Sequence, residues 1–343
     1  MPPVRTGAPA WISGTVRQGN AFKAVGLIGY TCSYIPVEIL GATGHRPYRL
    51  LHGDPRLSAG SDRWLRVDAC PLVRSNLSFV LRERKDFAAI VGSTGCDMAR
   101  RLLEVVKETT EIPVFVVNLP RTDRPDIYFD EIDDLLGFLK RIDERRLKEE
   151  VEKWEGWRDY FRELSGKRSR FPSQLSTRTL QRMVTGYHKG EPRTDDFDPE
   201  PSDLPRVILL GSPLAYESGP LFGLIESSVR IVWDFNCGIS RFIEVKIENH
   251  NLDGIKKAYY NQPPCILRRT NQDYYDSVKR RLARLKPEGI IVLTLDYCDS
   301  YEFELNRMRR VFDLPFLHLR HDFSFQNWGQ LRTRLEAFKE MLV

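Results

Sequence analysis

Several signals of common enzyme classes are missing from this sequence of 343 residues. It has neither a G-x-x-x-x-G-K-[ST] phosphate loop nor a G-x-G-x-x-G fingerprint, and Gly211-Ser212-Pro213 is not a nucleophile elbow. No apolar run approaches the roughly 18–20 residues of a membrane span, and residues 1–20 lack the apolar segment of a secretory signal. We therefore expect a cytoplasmic protein without a membrane segment.

Strong charge of one sign is also missing. The formal net charge is only +5, and the densest basic stretch, around Arg145 and Lys153, is mixed with glutamates. Such a segment is typical of a solvated helix face, so we expect no nucleic-acid partner. The composition, 41% hydrophobic and 29% charged, is that of a globular protein long enough for two domains.

Closely spaced metal ligands are absent as well. None of the six cysteines (32, 70, 96, 237, 265 and 298) forms a C-x-x-C pair, and the six histidines show no metal-ligand spacing. Zinc-ribbon and ferredoxin patterns are therefore excluded. In a chain without a leader, cysteines are expected to be reduced, catalytic or metal-bound rather than disulfide-paired. A Cys–His nucleophilic pair that meets only in the fold stays open.

What the sequence does contain is an alternation of strand and helix patterns. It predicts strands at 23–30, 48–52, 64–69, 87–92, 113–118, 206–213, 229–233, 289–295 and 315–319. It predicts helices at 36–43, 71–83, 97–109, 127–165, 220–228, 252–260, 271–285 and 325–341. Such alternation favours doubly wound parallel sheets.

The fold class is therefore α/β, with two flavodoxin- or Rossmann-like doubly wound domains joined by a helical linker region. The expected boundaries are an N-terminal arm at 1–20 packed by Trp11, a first domain at 21–125, a helical segment and linker at 126–204, and a second domain at 205–343.

Five cysteines follow predicted strands, namely Cys32, Cys70, Cys96, Cys237 and Cys298, whereas Cys265 lies beside Pro263-Pro264. Carboxyl ends of parallel strands share one sheet edge, where ligands and cofactors bind, so the five thiols can converge there. A single cysteine is equally well explained as a small core residue. Several thiolates in a site without histidine favour iron–sulfur over zinc.

These cysteines lie in motifs that resemble a known family, the 2-hydroxyacyl-CoA dehydratase D-component family, which includes benzoyl-CoA reductase subunits. The matching segments are 29–38, Pro47-Tyr48-Arg49, Cys70-Pro71, Gly95-Cys96-Asp97, Gly211-Ser212-Pro213, Cys237 with Arg241, and Tyr297-Cys298-Asp299. Their order along residues 22–325 is that of the family.

The resemblance implies a [4Fe-4S] cluster held between the two domains by Cys32, Cys70 and Cys298, and radical dehydration or reduction at low potential. It also implies an ATP-hydrolysing iron–sulfur activator as partner, a homo- or heterodimer with a related subunit, and a small-molecule substrate such as an acyl-CoA. Arg241 is expected to hydrogen-bond the cluster or hold a ligand phosphate; an interdomain salt bridge is the alternative.

A sister branch of the family implies a second possibility. There a double cubane [8Fe-9S] reduces small molecules, and Cys96, Cys237 and Cys265 would complete its ligand set. The first motif lies close to the start of this sequence, which argues against a CoA substrate. A non-catalytic electron carrier and a metal-free binding protein also stay open, and the sequence names no catalytic residue.

Overall fold

The structure is a computed structural model that describes residues 26–140, 142–171, 175–195, 203–268, 270–324 and 326–343. The predicted N-terminal arm with Trp11 lies outside the described residues. Two four-stranded, all-parallel sheets flanked by helices form the framework, which confirms the predicted fold class.

The first sheet has the strand order β2-β1-β3-β4. Its strands are β1 (Leu27–Tyr30), β2 (Arg46–Arg49), β3 (Phe87–Ser93) and β4 (Val114–Val117). β1 pairs in parallel with both β2 and β3, and all four of its residues are buried, as the unbroken apolar run at 27–30 predicts. β2 begins two residues before the predicted strand at 48–52.

The second sheet repeats this topology, with the order β6-β5-β7-β8. Its strands are β5 (Arg206–Gly211), β6 (Arg230–Asp234), β7 (Gly289–Leu295) and β8 (Phe316–His321). All seven residues of β7 are buried between β5 and β8, and its bounds coincide with those predicted.

Thirteen α-helices connect and cover the sheets within the described ranges. They are α1 (Val37–Ala42), α2 (Pro55–Ser58), α3 (Pro71–Arg82), α4 (Asp97–Thr109), α5 (Pro125–Leu139), α6 (Glu144–Arg170), α7 (Thr177–His188), α8 (Gly219–Glu226), α9 (Leu252–Tyr260), α10 (Gln272–Leu285), α11 (Asp299–Glu302), α12 (Leu305–Val311) and α13 (Trp328–Leu342). Short 3₁₀ turns cover Ala59–Ser61, Tyr216–Ser218 and Arg241–Glu244.

The strand predicted at 64–69 is wrong. These residues form turns, in which the Trp64 N–H donates to the Ser61 carbonyl and the Ala69 N–H to the Arg66 carbonyl. The apolar Val67 is 69% exposed, as expected for a residue in a surface turn. Cys70 therefore follows a loop and not a strand.

The helix predicted at 127–165 is two helices. Lys140 adopts a left-handed φ of 58° and ends α5, and the Asp143 side chain accepts from the Arg145 and Arg146 N–H groups and starts α6. Helix α7 was not predicted; Ser176 caps its N-terminus by accepting from the Thr179 N–H.

Helix α6 is part of the core that the two sheets share. It packs against α1, α7 and β6, and Trp154 and Phe161 belong to an apolar cluster that includes residues from both sheets. The helical region thus fixes the sheets relative to each other.

Candidate metal centre

Five of the six cysteines lie in loops at the carboxyl ends of the strands or at helix starts. Cys32 follows β1, Cys96 follows β3, Cys237 follows β6 and Cys298 follows β7. Cys70 and Cys96 are the N-cap residues of α3 and α4, so both thiols lie at positive helix ends. Cys265 lies in the loop between α9 and α10, away from a strand end as its prolines indicated.

The loops that carry Cys32 and Cys265 are in direct contact. The Cys265 N–H donates to the Tyr34 hydroxyl at 3.3 Å, and Gln262 Nε2 donates to the Ser33 carbonyl at 3.1 Å. The backbone on either side of these thiols is therefore held together across the two α/β units.

The loop of Cys237 is fastened to the first sheet in the same way. Arg49, the last residue of β2, donates from Nη1 to the Cys237 carbonyl at 2.5 Å. Arg241 donates from Nη2 to the Ser33 hydroxyl at 3.0 Å, and its guanidinium lies 5.2 Å from the centre of the Tyr34 ring. Both contacts cross between the units.

The Cys298 thiol interacts electrostatically with both the Cys70 and the Cys96 thiols. Burial raises the pKa of Cys70 to about 12, and the neighbouring Cys298 and Cys96 thiols add to the shift. Burial likewise raises the pKa of Cys96 to about 11, opposed by the Ala99 N–H, and Cys298 and Cys265 raise it further. Cys70 and Cys298 also pack in the same apolar cluster.

Cys32 and Cys265 form a second group. Burial raises the pKa of Cys32; a hydrogen bond with the Ser93 side chain opposes this, and Cys265 adds to it. Burial opposes the charge of Arg241, yet Cys265, Tyr34 and Cys237 raise its pKa above the ordinary value. Cys265 interacts electrostatically with both Cys32 and Cys96, and Arg241 interacts with both Cys265 and Cys237. These interactions link the two groups and add Cys237, so that all six thiols belong to one electrostatic network.

Tyr297, directly before Cys298, has a left-handed backbone with a φ of 61°. This conformation is costly for a residue with a side chain and is concentrated at functional sites. Burial raises the pKa of Cys298, whereas a hydrogen bond with the Ser212 side chain lowers it. The strained turn thus places Cys298 at the carboxyl end of β7, in the second sheet, and Tyr297 is 48% exposed.

Within the described residues, the thiols do not converge on the position of a single metal ion. Among the described residues, which include all six cysteines, no three His, Cys, Asp or Glu side chains are placed to hold one metal ion. Zinc needs its ligands within about 2.3 Å of one atom. Cysteine thiols without a neighbouring histidine ligand are soft donors, which release their protons when a thiophilic metal binds.

Arg241 forms no ion pair with a described carboxylate, so the interdomain salt bridge foreseen as its alternative role is not formed. It instead spans the two units through Ser33 and Tyr34. Its Nε, like that of Arg49, is buried without a hydrogen-bond partner in the described part of the chain.

A polar chain that the sequence did not predict also crosses between the units. The Tyr48 hydroxyl lies 2.9 Å from His52 Nε2, and His52 Nδ1 lies 3.1 Å from Glu217 Oε1. Glu217 Oε2 accepts from the Gly53 N–H at 2.8 Å. No spacing could have revealed this chain, because Glu217 is 165 residues away from His52 in the sequence.

Two clefts of about 710 Å³ each lie away from the thiols. Both are lined by residues of α6 together with His250, and neither includes a cysteine. No helix in the described ranges has the length and apolarity that crossing a membrane requires.

Comparison with known proteins agrees with the motifs. The profile of the family described as 2-hydroxyglutaryl-CoA dehydratase, D-component, matches residues 32–342. An Escherichia coli K12 protein named as dehydratase subunit YjiM is 22% identical over 368 residues, which cover 93% of this chain and 92% of the relative. The (R)-phenyllactyl-CoA dehydratase beta subunit of Clostridium sporogenes is 21% identical over 350 residues, covering 92% and 91% respectively.

Proposed function

Since this chain belongs to the 2-hydroxyglutaryl-CoA dehydratase D-component family, we propose that it is the cluster-binding subunit of a 2-hydroxyacyl-CoA dehydratase-like enzyme. The reaction would remove the hydroxyl group and a neighbouring hydrogen of the acyl chain as water and leave an α,β-unsaturated thioester. The observation that carries the proposal is the meeting of cysteine-bearing loops from both sheets, in which Gln262 donates to the Ser33 carbonyl and Arg49 donates to the Cys237 carbonyl.

Cys32, Cys70 and Cys298 are the proposed cluster ligands. Cys70 and Cys298 share an apolar cluster, and Cys32 is connected to them through Cys265 and Cys96. When bound, an iron–sulfur cluster would supply a low-potential electron and an iron atom open to a substrate oxygen.

The chain's own groups would tune this site. The Ser93 and Ser212 side chains hydrogen-bond the Cys32 and Cys298 thiols and favour their ionised form. The positive N-terminal end of α3 also favours the ionised form of the Cys70 thiol. The surrounding apolar residues exclude water, which keeps these electrostatic effects strong.

Two partner proteins belong to this proposal. One is an ATP-hydrolysing iron–sulfur activator, in agreement with the missing phosphate loop of this sequence. The other is a second dehydratase subunit, identical or related, because the C. sporogenes relative is named a beta subunit. Mixing the purified chain anaerobically with candidate subunits and measuring water elimination from 2-hydroxyacyl-CoA substrates tests both.

The deciding experiment measures iron and acid-labile sulfide in the anaerobically purified chain. We expect about four irons per chain for a single [4Fe-4S] cluster, with the absorption of iron–sulfur charge transfer. No iron after anaerobic reconstitution would overturn the proposal.

Cysteine variants identify the ligands. Cys70→Ser should lose the cluster if Cys70 is one of three ligands, whereas Cys96→Ser should keep it. The Cys96→Ser variant is a matched control, because Cys96 is also a helix N-cap residue and interacts electrostatically with Cys298.

The connection of all six thiols favours a second candidate, the double cubane that reduces small molecules. It predicts about twice the iron of a single [4Fe-4S] cluster, and loss of iron in both serine variants. A carrier without substrate turnover would bind a cluster yet convert no thioester with any partner subunit.

A further inference from the structure

Four arginines in the shared core of the two sheets are almost completely buried. Their exposed fractions are 1% for Arg49, 0% for Arg158, 0% for Arg168 and 3% for Arg241. A guanidinium stays protonated at all ordinary pH values, so each of these residues brings a full positive charge into the interior.

Two of them have carboxylate partners. Arg168 Nη2 lies 2.7 Å from Asp234 Oδ2. Arg158 Nη1 lies 2.6 Å from Glu38 Oε1, an ion pair without hydrogen-bond alignment, and Arg158 Nη2 lies 2.8 Å from Glu155 Oε2. These charges are compensated within the protein.

Arg49 has no such partner among the described residues. Its Nη1 donates to the Cys237 carbonyl, and its guanidinium lies 6.0 Å from the centre of the Tyr30 ring. The nearby His188 is neutral, since burial and the charge of Arg49 hold its pKa well below the ordinary range. No carboxylate of the described residues therefore compensates this cation.

Arg241 is in the same situation. Its Nη2 donates to the Ser33 hydroxyl and its guanidinium lies over the Tyr34 ring, but no carboxylate of the described chain lies within ion-pair distance. Both arginines also carry an Nε that is buried without a hydrogen-bond partner among the described residues. Burying an unpaired charge costs several kcal/mol. An anion bound in this part of the interior would compensate both charges.

We propose, on the basis of the function proposed above, that Arg49 and Arg241 are the counter-charges of an anionic, thiolate-bound iron–sulfur cluster and set its reduction potential. Arg49 holds the loop of Cys237 from the first sheet. Arg241 extends from the same loop toward Ser33, next to Cys32. A cation beside a cluster favours the more negative, reduced state, so each arginine raises the potential.

The test compares reduction potentials of the reconstituted full-length chain by a redox titration monitored by electron paramagnetic resonance. In Arg49→Met and in Arg241→Met we expect the one-electron reduction equilibrium to fall at least tenfold, a shift of about 59 mV toward negative potential. Arg241→Lys keeps the charge and should recover most of the shift. Arg170→Met, at an exposed position on α6, should leave the potential unchanged.

Cluster-free protein provides a second measurement. Removing an uncompensated charge relieves its burial cost, so both methionine variants should melt at or above the wild-type temperature without a cluster. A clear loss of cluster-free stability would mean that the arginines are structural and would overturn the inference.

The remaining outcomes separate this inference from the proposed function. A wild-type chain that takes up no iron would overturn the proposed function. A chain that assembles the cluster with equal potentials in all variants would overturn this inference alone. Inorganic phosphate that stabilises the cluster-free wild type but neither methionine variant would assign the two charges to a phosphate ligand instead.

Discussion

The buried charges on helix α6 and those around the cysteines differ in one respect. On α6, Arg158 and Arg168 form ion pairs with carboxylates from α1 and β6. The buried positive charges of the helix that joins the two sheets are therefore compensated within the protein. Around the cysteines, Arg49 and Arg241 meet carbonyl, hydroxyl and aromatic groups instead.

This difference separates structural from functional charge. A closed ion pair fixes the orientation of two elements and needs nothing further from solution. An unpaired buried cation is costly in the empty protein and becomes favourable only when an anion binds. We infer that the α6 pairs fix the relative position of the sheets, and that the unpaired arginines belong to the site between them.

The strongest way to sharpen the comparison is to break a closed pair. Arg168→Met leaves Asp234 buried without its cation and should cost about 3–5 kcal/mol of unfolding free energy. Urea unfolding of the cluster-free chain measures this. Arg170→Met, two residues along the same helix and exposed, is the matched control and should change little. Equal stability of the two variants would remove the basis of the comparison.

His321, at the end of β8, shows a third solution, in which a buried ionisable group stays neutral. Burial lowers its pKa to about 4 from an ordinary value of 6.5. The unfolded chain takes up a proton below pH 6.5 whereas the folded chain does not, so stability falls as pH drops from 6.5 toward 4. We expect this residue to account for about 3 kcal/mol of that loss.

The variant His321→Phe tests this contribution. It should be close to the wild type at pH 7 and lose less stability by pH 4.5 in urea unfolding. Equal acid sensitivity in both proteins would contradict the prediction.

Glu217 is an intermediate case, a carboxylate that is only partly buried. Burial opposes its ionisation, but hydrogen bonds with His52 and the Gly53 N–H prevail and hold its pKa below the ordinary 4.5. Its stabilising effect is complete above pH 4.5 and is lost as pH falls through the folded-state pKa. Glu217→Gln should cost about 1 kcal/mol at pH 7.

The measurement is denaturant unfolding at pH 7 and pH 3.5. The difference between Glu217→Gln and the wild type should shrink at the lower pH, where the wild-type carboxylate becomes protonated. A difference that grows on acidification would reverse the assigned sign.

The smallest effect is expected at an exposed pair on α6. Arg145 Nε lies 3.0 Å from Glu149 Oε1 one turn along the helix, and both side chains are solvated. Arg145→Ala should change stability by no more than about 0.5 kcal/mol. A loss as large as that of Arg168→Met would show that burial is not the cause of the difference.

Many of the strands and helices could be predicted from local patterns in the sequence. The unbroken apolar run of β7 and the proline and acidic starts of α3 and α4 are local signals, and these elements lie where they were predicted. The strand at 64–69 failed because alternation within one segment does not reveal whether a neighbouring strand is available. Helix α7 was missed because its first turn depends on a serine cap after a proline-containing segment.

The sequence by itself determined two parallel sheets, most of the long helices and the position of four cysteines after strands, because these depend on periodicity and short-range caps. Tertiary structure alone decided which thiols are neighbours, which arginines found carboxylates and which did not. It also formed the Tyr48–His52–Glu217 chain. Such contacts join residues far apart along the chain, and whether a charge is compensated depends on everything that surrounds it in space.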